Sequence, residues 1–208
     1  PWPLDQAYLD QLKKLIDRIN PVWISDHLCW DGADDVQGQL LPVPYTEEML
    51  DHIVPRIEQI QEFLGRQILL ENVPLEKIDP KTEMPEADFV KEVAARSDSM
   101  ILLDIGSLHT TSVNQNADPL DYIARLPAER VQQIHLTGAT ILCNATEATD
   151  QHTPDPIWQL FLKAIAQFGP TTTMIERLDT IPPLSEMVRE IEKARCALDS
   201  QFPQWQQS

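Results

Sequence analysis

The chain has 208 residues, 42% hydrophobic and 24% charged, enough for one domain with a sizeable core. Its 33 acidic and 16 basic residues give a net charge of −17, which argues against partners made of nucleic-acid phosphates or anionic lipid. Three scattered cysteines (Cys29, Cys143 and Cys196) without a CxxC pair fit neither a disulfide framework nor a zinc knuckle.

That cysteine usage points to a reducing, cytoplasmic setting, and no basic-then-apolar leader is visible. No apolar run reaches the ~20 residues of a membrane span. In chain order, apolar residues at helical spacing predict a helix from Leu4 to Ile19, followed by a strand, VWISDH, from Val22 to His27. A second helix is expected from Thr46, its N-cap, to Leu64, with Gly65 as a left-handed C-cap. The strand QILLEN (Gln67 to Asn72), a helix from Pro85 to Ala95 and the strand MILLDI (Met100 to Ile105) come next. The second half continues with a helix from Asp118 to Leu126, the strand VQQIHL (Val131 to Leu136) and a helix from Asp155 to Phe168. Gly169 is read as another C-cap, before the strand TTMIER (Thr172 to Arg177) and a last helix from Leu184 to Leu198.

Strict alternation of strand and helix means a parallel sheet, doubly wound or closed as a barrel. No strand leads into a Gly-rich phosphate loop, so the nucleotide-binding doubly wound form loses its main support. The expected fold is therefore α/β, a TIM-type (β/α) barrel, with residues 1–200 as one domain and 201–208 as a loosely held tail.

Each of the five strands ends in a group that can bind a metal or move a proton: His27, Glu71, Asp104, His135 and Glu176. With 33 acids and five histidines in the chain, five hits in five strands have a chance on the order of 1%. The carboxyl ends of barrel strands form one rim, where such enzymes keep their sites. Asp150 and His152 add a D-x-H pair, whose alternate side chains face one way in extended chain. Mixed nitrogen and carboxylate donors suit iron, zinc or manganese, and so many ligands leave room for two ions. A lone His or acid at a strand end is more often a hydrogen-bonded structural group; only the set as a whole argues for metal. His52 reads as a surface residue, and Trp30, Tyr45 and Trp158 as packing groups. His109, just past the third strand, lies near enough to reach the rim.

At these residues the sequence resembles a known family. The stretches WISDHLCW, LLPVPYTEEML, LGRQILLENV, ILLDIGS, RVQQIHLTGA, TDQH and MIERLDTIPP are similar to the methanobactin-biosynthesis-type multinuclear non-haem iron oxygenases. These MbnB-like proteins are also known as the domain of unknown function 692 family. The resemblance implies two or more iron ions, oxygen-dependent modification of cysteine residues in a ribosomally made peptide, and a small partner protein that presents the peptide. It implies metal-binding roles for His27, Glu71, His135, Asp150, His152 and Glu176. Asp104, Asn72, Ser107 and His109 would stand behind the ligands. The chain departs from the family pattern at Gly106 and Ser107, where two Asn are usual, at Ala139 for a His, and at Arg177-Leu178 for Trp-Asp. Arg177 would bring positive charge beside the site. The family pattern also begins with about three further strand units, so the barrel is expected to lack its first strands in this chain. Other functions consistent with the residues are a two-metal hydrolase or isomerase using zinc or manganese, and a degenerate barrel that acts as a binding partner, including in an oligomer.

Overall fold

A computed structural model describes residues 3–31, 40–137, 156–177 and 181–204. The helices are α1 (Gln6–Ile19), α2 (Glu47–Leu64), α3 (Glu86–Ser97), α4 (Ile105–Gln115), α5 (Pro119–Arg125), α6 (Pro156–Phe168) and α7 (Leu184–Gln201). The strands are β1 (Ser25–His27), β2 (Trp30–Asp31), β3 (Leu40–Leu41), β4 (Leu69–Glu71), β5 (Met100–Asp104), β6 (Val131–Thr137) and β7 (Thr172–Glu176). All five predicted strands are present. They form one parallel sheet in the order β1-β4-β5-β6-β7, each strand beside its predecessor, with β1 and β7 as open edges. Sequential order without reversal is that of a barrel wall, not of a doubly wound sheet. β2 and β3 make a separate antiparallel pair that the sequence reading did not foresee.

Caps account for most helix ends. Asp5 and Thr46 accept from the backbone N–H groups of Tyr8 and Met49, closing the first turns of α1 and α2. Gly65, at φ 74°, and Gly169, at φ 85°, take the left-handed conformation that ends a helix before a strand. α4 was not predicted, because Gly106 and the β-branched Thr110, Thr111 and Val113 weaken its intrinsic propensity. Tertiary contacts override that weakness. Asp104 caps the helix through the Ser107 amide, and Ile105 and Leu108 are buried against the sheet.

The helices cover the sheet and form two apolar clusters. One gathers Ile134 and Leu136 of β6 with Phe161, Ala164 and Ile165 of α6; the other joins Leu50, Ile53 and Ile57 of α2 to Leu70 and Phe89. β1 is exposed at all three positions, as an edge strand is.

A polar group lies inside this helical layer. The Tyr45 hydroxyl donates to Glu86 in the first turn of α3, and Tyr122 of α5 stands close to both. Glu86 keeps some accessible surface, yet burial of its carboxyl pushes its pKa up to about 8, while the Tyr45 hydrogen bond opposes the shift. Burial, then the Glu86 charge, raises both tyrosines above their ordinary range. The folded state thus prefers neutral Glu86, whereas the unfolded chain ionises it near the usual carboxylate pKa. Its contribution is full at low pH and is lost as pH rises from about 4.5 through about 8. Urea unfolding should show stability falling by a few kcal/mol over that interval, with a flatter profile for Glu86→Gln. An unchanged profile in the variant would contradict this origin.

Candidate metal centre

The register of the sheet sets the geometry of the rim. His27 pairs with Glu71, and Glu71 with Leu102. Leu102 pairs with Gln133, which pairs with Thr172. Two residues further along, Asp104 pairs with His135 and His135 with Met174; two further again, Thr137 pairs with Glu176. Successive side chains alternate faces, so every residue two or four positions beyond that first row shares its face. His27, Glu71, Asp104, Gln133, His135 and Glu176 therefore lie on one side of the sheet, near the carboxyl ends of the strands.

The side chains converge as this parity requires. Ligand atoms of Glu71, Asp104, His135 and Glu176 all lie within 4.8 Å of one another. His135 Nδ1 is 3.1 Å from Glu71 Oε1 and 3.4 Å from Glu176 Oε2. His27 Nε2 is 3.6 Å from Glu71 Oε2, at the more open side of the cluster. Glu71, Asp104 and His135 are buried and Glu176 is half-buried. Gln133, which the sequence reading passed over, reaches His135 Nε2 at 3.3 Å and fixes the other side of the ring. Burial opposes a charged imidazole at His135, but Glu71, Glu176 and Asp104 together outweigh it and raise its pKa.

Three carboxylates around one imidazole carry more negative charge than that ring can balance, even when protonated. The donors suit a divalent cation. Oxygen with one or two imidazole nitrogens fits iron, manganese or zinc better than a thiolate-seeking ion, and His27 is near enough to supply the second nitrogen.

The supporting residues take distinct places. The Asn72 side chain bridges β4 to β5: its Nδ2 donates to the Asp104 carbonyl at 3.0 Å, and its Oδ1 accepts from the Asp104 amide at 2.9 Å. This holds the Glu71 and Asp104 strand ends in step. Asn72→Ala should cost about 1–3 kcal/mol in urea unfolding by removing both buried hydrogen bonds to the Asp104 backbone. A loss below about 0.5 kcal/mol would contradict the bridge.

Ser107 is buried and acts through its amide, which donates to Asp104 Oδ1, while Gly106 belongs to the first turn of α4. His109 is half-buried on α4, outside the four-residue cluster. Arg177 has a carboxylate partner outside the cluster. Its guanidinium pairs with Glu190 of α7 and donates to the backbone carbonyls of Glu176 and Leu136. Asp104, which the resemblance put behind the ligands, contributes its carboxylate to the cluster itself. Asp150, His152 and Ala139 lie outside the described residues.

Of the aromatic residues expected to pack, Tyr45 and Trp158 do so, whereas Trp30 is 38% exposed. Trp158 meets Phe161 edge-on at 5.8 Å, Tyr45 lies 5.1 Å from Phe89, and Trp30 sits 5.9 Å from a half-buried His52. Among the described residues no helix is long and apolar enough to cross a membrane.

Comparison with known proteins agrees with this architecture. A UPF0276 protein of Anaeromyxobacter sp. (strain Fw109-5) is 43% identical over 194 residues, covering 92% of this chain and 69% of the relative. One from Caulobacter vibrioides is 42% identical over 190 residues, covering 90% of this chain and 68% of the relative. Among solved structures, 3-keto-D-glucoside 4-epimerase from E. coli superposes with a TM-score of 0.55 at 12% identity, covering 91% of this chain and 70% of that one. A D-tagatose 3-epimerase-like protein gives a TM-score of 0.52 at 14% identity, covering 96% of this chain and 86% of that one. At such identities the two epimerases share the barrel-type fold and nothing more specific. Residues 1–199 match the family described as RiPP precursor modification enzyme MbnB/TglH/ChrH, and the chain belongs to that family of enzymes.

Proposed function

We propose that this chain is an oxidoreductase, an oxidase or oxygenase that uses two or more non-haem iron ions and oxygen to modify cysteine residues of a ribosomally made peptide. The observation that carries the reading is the cluster of Glu71, Asp104, His135 and Glu176 at the strand ends, in a chain of a peptide-precursor-modifying family. His27 stands beside it, and Asp150 and His152 complete the proposed ligand set with His27, Glu71, His135 and Glu176.

Iron bound there supplies the one-electron and oxygen chemistry that no amino-acid side chain provides. The protein's own residues bind, orient and shield. Glu71, Asp104 and Glu176 give the negative charge that holds a cation, and the burial of Glu71 and Asp104 keeps water from competing on their side. Gln133 fixes the His135 ring by its Nε2, leaving Nδ1 directed at Glu71 and Glu176. Asn72 and the Ser107 amide hold Asp104 in place. No side chain is assigned as a general base; a thiol that bound a cation here would give up its proton to solvent. A small partner protein that presents the peptide is part of this proposal, as is action in the cytoplasm.

The test is oxygen consumption by the iron-loaded protein with cysteine-containing and cysteine-free versions of one precursor peptide, followed by mass spectrometry. Loss of thiol and a mass change confined to the cysteine version support the proposal. Equal oxygen uptake with both peptides, or hydrolysis of either, would count against it.

A further inference from the structure

The helical layer contains a cavity that shares no lining residue with the metal cluster. It measures about 380 Å³ and lies between α3, α4 and α5, within the size range of small-molecule pockets. Much of its wall is apolar, with Leu75, Ile78, Met84 and Leu108 prominent. α4 contributes Leu108, Thr111, Ser112 and Gln115, which recur at helical spacing and form one face of that helix.

The ionisable groups at this cavity are unevenly matched. Glu86, Asp118 and Asp121 are acidic; Arg125 is the one cation among the described lining residues. Arg125 is already engaged by two carboxylates, Asp121 at 2.7 Å and Asp88 at 3.0 Å. An anion entering the cavity would find no cation free of a carboxylate partner. An alcohol would use the walls and the hydroxyls but none of the charge. A molecule with an apolar body and an ammonium head would use both.

We propose that this cavity binds a small amphipathic amine, with its alkyl part against Leu75, Ile78, Met84 and Leu108 and its ammonium group at Glu86 and Asp118. Glu86 accepts from Tyr45, so its carboxyl is oriented before any ligand arrives. The buried carboxyl, neutral when the cavity holds no cation, gives up its proton to solvent as the ammonium ion takes its place. The site is distinct from the metal cluster and does not depend on it.

The test is isothermal titration of the full chain with hexylammonium, hexanol and hexanoate, with Glu86→Gln and Gln115→Trp alongside. Gln115 is a half-buried α4 residue at the cavity whose side chain donates to the solvent-facing Glu76 carbonyl, so a Trp there obstructs entry while the buried core residues stay in place. Hexylammonium should bind saturably and about tenfold more tightly than hexanol, with no detectable binding of hexanoate. Glu86→Gln should remove that tenfold preference and leave hexanol binding unchanged; Gln115→Trp should weaken both. Hexanoate binding as tight as hexylammonium, hexylammonium binding unaffected by either folded variant, or no hexylammonium binding to the wild type would overturn the proposal.

Discussion

Ferrous iron added without air should raise the melting temperature of the wild-type chain by about 5–10 °C, and of Glu71→Ala by almost nothing. A ligand at one hundred times its dissociation constant stabilises the folded state by about 2.7 kcal/mol. For a domain of this size each kcal/mol shifts melting by roughly 2–4 °C. Glu71 is central to the cluster: one oxygen faces His135 at 3.1 Å and the other faces His27 at 3.6 Å. Removing it takes away a ligand and leaves two imidazoles without their common carboxylate partner. A variant that still gained the full shift would mean that the ion binds elsewhere. Scanning calorimetry under nitrogen, with and without chelator, makes the comparison.

A different kind of loss is expected at Phe161. It is fully buried on α6, edge-on to Trp158, and packed in the cluster that includes Ile134 and Leu136 of the inner strand β6. Phe161→Ala should cost about 3–5 kcal/mol, through lost transfer energy and the cavity left behind. Whole-domain stabilities are about 5–15 kcal/mol, so the variant should melt about 10–15 °C lower or fail to fold at all. Leu162, the next residue on the same helix, is 41% exposed, and Leu162→Ala should change stability by about 0.5 kcal/mol or less. Similar losses at the two positions would mean that α6 does not pack as described.

The five sheet strands were legible because each is a short apolar run bounded by turn residues, and the buried strands need that composition on both faces. β1 kept only its last three predicted residues: Val22 is largely exposed, and the edge strand has one neighbour to pair with. α4 was hidden, since its sequence is a poor helix former and its stability comes from Asp104 and the sheet beneath it. The strand-end residues stood out because a buried carboxylate after an apolar run is costly unless something compensates it. What the sequence could not supply was the register. Pairing of Asp104 with His135, two residues beyond the Glu71 row, brings the Asp104 carboxylate into the cluster. The same parity puts Gln133 beside His135; spacing of two within one strand was the available signal. The Tyr45, Glu86 and Tyr122 group joins three distant segments and leaves no local pattern.

Metal content tests the central claim most directly. The wild-type chain and a Glu71→Ala, His135→Ala double variant, both purified without air, would be measured by elemental analysis and checked for folding by circular dichroism. Two or more irons per wild-type chain, lost from a folded double variant, is the predicted result, since a multinuclear site of this kind needs at least two ions. Wild-type protein without bound metal, or iron retained in full by the folded variant, would contradict it.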